Sequence, residues 1–214
     1  MEVVGIVGSP RKHGNSELLV QSALDAAQAD GAQTELLSFS GRNVQFCDGC
    51  YACEKTGECH IKDDLQEVYA KVREADGIII GSPIYFHSVS GQTKVLMDRL
   101  HPLYVRRELV NKAAGAILVC SGTGHNTAWA SLHSFFSLNR MFFTDPVFGF
   151  GRARGDIRKD KFAMLSATEM GHQVVALVKQ GLHYPEECVP LMRHHIKTKY
   201  GVDSSPGVGR FGAE

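Results

Sequence analysis

The chain has 214 residues, 43 % apolar and 21 % charged, with 23 Lys and Arg balancing 23 Asp and Glu. Neutralising a phosphate backbone needs a basic surplus, so the zero net charge argues against a nucleic-acid partner. No apolar run approaches the ~20 residues that cross a bilayer. The opening stretch from Met1 to Pro10 also lacks the charged and long apolar regions of a secretory signal, so a soluble cytoplasmic protein without membrane attachment is expected.

In chain order, residues 3–7 form a nearly all-apolar run ending at Gly8-Ser9-Pro10, the signature of a strand covered on both faces. A polar loop, Ser9 to Ser16, leads into a helix over Glu17–Asp30, with Asn15 or Ser16 as cap and Gly31 as stop. Residues 34–38 predict a short second strand. The pattern then lapses for some two dozen residues, a length that in a compact domain is usually functional. Order returns with Asp64 as N-cap and Glu67 in the capping-box position of a helix through about Glu74. Gly77 to Gly81 reads as a buried strand closed by a Ser82–Phe86 loop, and Ser90 to Leu100 as a helix. Ala114 to Cys120 predicts a further buried strand ending in Ser121–Asn126, followed by a helix carrying Trp129, Leu132 and Phe136. A fifth strand broken near Pro146 and a helix from Lys159 to Gly181 complete the pattern. Five buried strands alternating with helices predict a doubly wound, five-stranded parallel α/β sheet. The expected domain spans residues 1–184, with a cysteine loop at 39–63. Residues 185–214, rich in Pro and Gly, read as an extended tail suited to packing on a partner subunit.

Four of the six cysteines, Cys47, Cys50, Cys53 and Cys59, fall within thirteen residues. A cytosolic chain of this size does not need disulfide staples, so metal or redox chemistry is indicated. Three thiols in a Cys-x-x-Cys-x-x-Cys run, with a fourth close behind, are typical of four-iron clusters. The spacing departs from the bacterial ferredoxin run, with five residues before the last cysteine and no proline after it. Structural zinc prefers two separated pairs, and a Cys50–Cys53 redox disulfide leaves two thiols over. Ligands of open α/β sheets bind past the carboxyl ends of the strands. Three polar or glycine-rich loops meet there: Ser9–Ser16, Pro83–Ser90 and Ser121–Asn126. The first opens a helix, where free N–H groups and the dipole favour a phosphate. It is neither a P-loop nor a dinucleotide fingerprint. Cys120 reads as a small core residue, His87 and His125 as structural, and the basic stretch from Arg152 to Lys161 as a solvated loop.

Gly8-Ser-Pro-Arg-Lys-His-Gly-Asn-Ser16, Gly81-Ser-Pro-Ile-Tyr85 and Ser121-Gly-Thr-Gly124 together resemble the flavodoxin-like NAD(P)H-dependent FMN reductase superfamily. The cysteine segment followed by Ile61-Lys-Asp-Asp64 resembles its iron–sulfur flavoprotein branch. The resemblance covers residues 1–182 and implies strand order 2-1-3-4-5. It implies FMN, with its phosphate at Ser9, Arg11, Asn15 and Ser16. The ring would rest on Pro83, Ile84, Tyr85 and Phe86, under the loop Ser121, Gly122, Thr123 and Gly124. It also implies a [4Fe–4S] cluster on the four cysteines and transfer across the interface of a homodimer or homotetramer.

The function expected is electron relay between a ferredoxin-like donor and a small acceptor through cluster and FMN, with no acid–base or nucleophilic side chain. The cysteine loop follows the second strand and is expected on the same carboxyl edge as the flavin loops. Two rival readings remain at this point: an NAD(P)H-dependent FMN or quinone reductase with empty cysteines, and a non-catalytic zinc-stabilised or redox-sensing module.

Overall fold

The structure, a computed structural model, describes residues 1–190 and 192–202. Its strands are β1 (Glu2–Val7), β2 (Gln33–Ser38), β3 (Gly77–Tyr85), β4 (Ser88–Val89), β5 (Ala113–Cys120), β6 (Phe142–Phe143) and β7 (Val147–Phe150). Its helices are α1 (Asn15–Ala29), α2 (Ala52–Thr56), α3 (Leu65–Glu74), α4 (Gly91–Arg99), α5 (His101–Val105), α6 (His125–Leu138), α7 (Lys161–Gln180) and α8 (Met192–Tyr200). The sheet runs β2-β1-β3-β5-β6, all parallel, with β7 also parallel to β5 and β4 antiparallel to β3. The expected 2-1-3-4-5 winding is thus present, with β6 and β7 as the broken fifth strand. The difference in detail is the β3–β4 hairpin.

Strand alternation builds two cores. Val3, Val7, Ile79, Ala113, Ile117 and Val119 face the layer of α1 and α7, against Leu19, Ala23, Met170 and Val174. Val4, Ile6, Ile78, Ile80, Ala116 and Leu118 face the layer of α3 to α6, against Leu65, Val68, Leu96, Leu132 and Phe136. Both faces being covered explains why the central strands are continuous apolar runs rather than alternating ones.

Four local expectations are corrected. Asn15 and Ser16 do not cap α1; Gly14 holds that position, and no side chain caps the turn. Asn15 is instead the first helical residue, and its side chain is turned toward the loop before α7. Asp64 makes no side-chain cap to α3; Asp63 accepts the Leu65 N–H at 3.1 Å, and Glu67 pairs with Arg42 at 2.6 Å. Pro83, Ile84 and Tyr85 are strand, not loop, because β3 outruns the apolar run and folds back on β4. The tail is not extended throughout: it holds a 3-10 turn at Glu186–Cys188 and α8, whose nine residues contain neither Gly nor Pro. Its first part is tied to the body by Arg107 and Arg140, which donate to the Val189 and Cys188 carbonyls. Of the expected extension, Leu191 and residues 203–214 lie outside the described residues.

Candidate functional site

At the carboxyl ends of β1, β3 and β5 the three glycine-containing loops converge. Ser90, wholly buried, is the hub: its hydroxyl donates to the Gly8 carbonyl and accepts the Thr93 N–H at 3.1 Å, capping α4. Ser82 accepts the Ser90 N–H at 3.0 Å, and Gly8 N–H donates to Gly81 at 2.8 Å. The approach is so close that a Cβ on Gly8 would lie 2.0 Å from Thr93 Oγ1. Past this hub, the N–H groups of Asn15, Ser16 and Glu17 open α1 without an acceptor among the described residues. Ser9 and Ser16 are buried beside them, and Ser9 Oγ accepts the Arg11 N–H at 3.1 Å. A run of free N–H donors at a helix start, reinforced by its dipole, is the donor set a phosphate requires.

The β3–β4 turn carries Phe86 and His87 at φ 49° and 62°. Two central residues at positive φ make a type I′ hairpin, which ordinarily takes Asn-Gly. Phe86 is fully exposed at its tip and Tyr85 is 42 % exposed. Gly124, at φ 106°, brings the third loop so close that a Cβ there would lie 2.9 Å from His87 Cα. Below that loop, Cys120 accepts the Gly122 N–H at 3.2 Å and lies 3.5 Å from His125 Nε2. The His125 ring packs between Phe148 and Phe150, at 4.9 and 4.8 Å.

The cysteines occupy a different place. All four line one cavity of about 580 Å³, together with Asp48, His60, Arg99, His101, Tyr104, Phe135 and Asn139. Cys59 is buried, Cys53 half-buried on α2, and Cys47 and Cys50 exposed. Cys53 Sγ stands 3.3 Å from His101 Nδ1. Burial, reinforced by charges on Cys59, Cys50 and Cys47, pushes the Cys53 thiol pKa up. Thiolates gathered this way need a positive centre among them. The set of potential ligands within 4.8 Å of one another among the described residues is Asp48, Cys50 and His60; Cys47, Cys53 and Cys59 lie outside it. Four thiolates on one zinc, at 2.3 Å each, would stand only about 3.8 Å apart. The donor set, one cavity with four spread thiols, therefore fits a multi-iron group better than a single ion.

The ends of the cysteine loop are held by a buried pair. Arg99 and Asp63, with side chains 0 % and 1 % exposed, meet at 2.8 and 3.1 Å. Arg99 also donates to the carbonyls of Gln45 at 2.7 Å and Ile61 at 3.3 Å, which bracket the loop. Asp63 accepts the Gln45 N–H at 2.8 Å. Burial alone would raise the Asp63 pKa, but these bonds and the guanidinium charge outweigh it and hold the carboxyl below its usual range.

Residues 1–155 match the NADPH-dependent FMN reductase family. An iron–sulfur flavoprotein of Methanocaldococcus jannaschii is 41 % identical over 189 residues, covering 84 % of this chain and 98 % of that one. The chain belongs to the iron–sulfur flavoprotein branch of that family. Another such flavoprotein, from Methanosarcina thermophila, is 34 % identical over 71 % of this chain and 81 % of its own. In fold, the flavoprotein resembles RosB, solved with a formylriboflavin phosphate intermediate, at TM-score 0.75 and 16 % identity over 100 % of this chain and 91 % of that one. It likewise resembles the Trp repressor binding protein of Bacillus subtilis, at TM-score 0.61 and 21 % identity over 79 % and 99 %. It is a flavin-dependent oxidoreductase.

In this flavoprotein the expected phosphate and ring residues do gather at one edge, but not all are free to bind. Asn15 Nδ2 donates to Ala153 at 2.9 Å, and its Oδ1 accepts the N–H groups of Gly155 and Ile157 at 2.9 and 3.4 Å. Arg11 is exposed and bonds the Arg152 carbonyl at 3.0 Å. Glu17, expected only as the start of the helix and not as a site residue, is buried and receives the His13 N–H at 3.0 Å.

The cysteine loop does not lie on the edge expected to hold flavin. It leaves that edge at Ser40, whose hydroxyl donates to the Pro10 carbonyl at 3.1 Å, and runs to the far ends of α4 and α6. His125 opens α6 at the third loop, and Leu138 closes it at the cysteine cavity, fourteen residues or about 21 Å away. The displacement follows from the Arg99 clamp at the end of α4. Arg99, Asp63 and His101 were missed as site residues. The available signal was a charged residue in the inward register of Val95, Leu96 and Leu100.

Proposed function

We propose that this flavoprotein binds FMN at the β1–β3–β5 edge and a [4Fe–4S] cluster on Cys47, Cys50, Cys53 and Cys59. Its function is to relay electrons between a low-potential, ferredoxin-like donor and a small acceptor. The observation that carries the reading is the single cavity shared by the four cysteines. When bound, FMN exchanges one or two electrons and the cluster exchanges one, so the pair matches a one-electron donor to a two-electron acceptor.

The chain's own part is positional. The free N–H groups of Asn15, Ser16 and Glu17 would hold the FMN phosphate, with the Ser9 and Ser16 hydroxyls beside them. Asn15 serves by bracing residues 153–157 rather than by meeting the phosphate. Pro83, Ile84, Tyr85 and Phe86 form one wall of the flavin edge, and Ser121 to Gly124 its cover. The chemistry itself would belong to the cofactors, with the chain setting their position and surroundings. The helix length between the two sites favours a homo-oligomer in which one copy's flavin edge meets another's cysteine cavity.

The test is anaerobic purification with iron, sulfide, zinc and flavin counted per chain. About four irons and one FMN are expected. FMN with no iron or sulfide after anaerobic reconstitution would refute the cluster. The family match favours a second reading, direct NADPH-dependent flavin reduction with empty cysteines. Fast anaerobic bleaching of the flavin by NADPH in iron-free protein would select it. Slow bleaching by NADPH, with fast reduction by a reduced ferredoxin, would select the relay.

A further inference from the structure

Arg99 is among the largest fully buried side chains of the described residues, yet it lines the cysteine cavity. A guanidinium has five N–H donors in a fixed plane. Four have acceptors: two meet the Asp63 carboxylate, one the Gln45 carbonyl and one the Ile61 carbonyl. The fifth, on Nε, is buried and has no acceptor among the described residues. Leaving such a donor unmet costs its full desolvation, the more so in a charged group, so an orphan of this kind calls for a partner. Nearby, the Tyr69 hydroxyl donates to the Arg99 carbonyl at 2.7 Å, closing the packing around the clamp on the side of α3.

We infer that Arg99 is a positioning residue of the iron–sulfur site, holding the cysteine loop closed at Gln45 and Ile61 and turning its one unmatched N–H and its positive charge toward the sulfur-bearing group. This rests on the reading that the four cysteines bind a cluster. Two physical consequences follow. The loop ends are fixed before any metal arrives, which lowers the ordering entropy that metal binding must overcome. A buried cation beside a group that gains negative charge on reduction stabilises the reduced form, and hydrogen bonds to cluster sulfur act in the same direction. Asp63 moderates this by neutralising part of the charge. Replacing Arg99 alone would leave Asp63 buried and unpaired, so the informative variants change the carboxylate or both partners together.

The experiment uses reconstituted full-length protein and reads the cluster's midpoint potential by an EPR-monitored titration, with iron content, flavin content and far-UV circular dichroism as controls. Asp63→Asn, which uncovers the charge, is expected to favour one-electron reduction by tenfold or more, a rise of at least 59 mV. The charge-free double variant R99Q/D63N is expected to disfavour it by tenfold or more and to take up iron more slowly than wild type. Native-like circular dichroism and flavin content with a failure to retain iron in R99Q/D63N also support the positioning role, and D63N then reports the charge. Should R99Q/D63N take up iron as wild type does, with both variants' reduction equilibria within twofold of wild type's (about 18 mV), the inference is overturned. Wild type that binds no iron at all overturns instead the cluster reading beneath it, so the two failures are told apart.

Discussion

The hairpin tip at Phe86-His87 should be strained, and relieving it should stabilise the protein while weakening its hold on flavin. Both residues sit in the left-handed region, at φ 49° and 62°. A bulky L-residue there costs about 1–2 kcal/mol, so the turn stores roughly 2–4 kcal/mol. Replacing the pair by Asn-Gly, in F86N/H87G, removes most of that. Glycine returns about 1 kcal/mol through its larger unfolded-state entropy. No burial is lost with the Phe86 ring, because it is fully exposed. The net gain is about 2 kcal/mol, which for a domain near this size corresponds to roughly 4–8 °C in Tm. Thermal unfolding of the flavin-free chain by circular dichroism measures it directly. An unchanged or lower Tm would refute the strain argument. In the same variant FMN affinity, read by fluorescence quenching, should fall at least tenfold, because the wall loses its Phe86 ring and keeps only Tyr85 as an aromatic. Unchanged affinity would remove Phe86 from the flavin site.

Three further outcomes are expected. Cys59→Ser should abolish iron retention after reconstitution while leaving FMN content at wild-type level, since α6 separates the two sites; parallel loss of both would place them together. Asn15→Ala removes three bonds to residues 153–157 and should cost about 2–4 kcal/mol in urea unfolding. A loss below 0.5 kcal/mol would show that the brace is idle. Asp63 has a depressed pKa in the folded chain, so the unfolded chain binds its proton first; its stabilisation is complete above the unfolded value of 3.8 and fades as pH falls through the folded one. Urea unfolding of the iron-free chain from pH 5 to 2 should therefore weaken more steeply for wild type than for Asp63→Asn. Parallel slopes would contradict the assignment.

The sheet was legible because its central strands are covered on both faces and so read as unbroken apolar runs, as at Ile78–Ile80 and Ala113–Cys120. The three polar loops at the strand ends were legible for a related reason: glycines and hydroxyls there mark close backbone approach, as Gly8 does against Thr93. What local pattern could not supply was partner choice over long separations. Asn15 looks like a cap from its neighbours, but its partners lie 138 to 142 residues away. Asp64 and Glu67 satisfy the capping-box spacing, yet Asp63 carries the bond because Arg99 fixes its carboxylate. The β3–β4 hairpin was hidden by its own strain, since Phe-His gives no turn signal. The path of the cysteine loop was hidden because nothing in its sequence names the arginine that anchors it.

The two sites are built by different physics, and this bears on how electrons would reach the proposed flavin edge. That edge is made of backbone: N–H groups, close glycine contacts and the Ser90 hub, all tied to the sheet. The cysteine cavity hangs on side chains instead, closed by one buried ion pair at the end of α4. Within a single chain the packed layer of α4 and α6 lies between them, about 21 Å along α6. Two of the thiols and Tyr51 are exposed at the cavity mouth, and Phe86 is fully exposed at the opposite end. An exposed aromatic on a strained turn and an open thiol-lined cavity are each poor surfaces for a solvated monomer. Meeting between copies would cover both and replace a path through one helical layer by a short crossing of an interface. The electron route would then be a property of the assembly, while each chain supplies only its two ends.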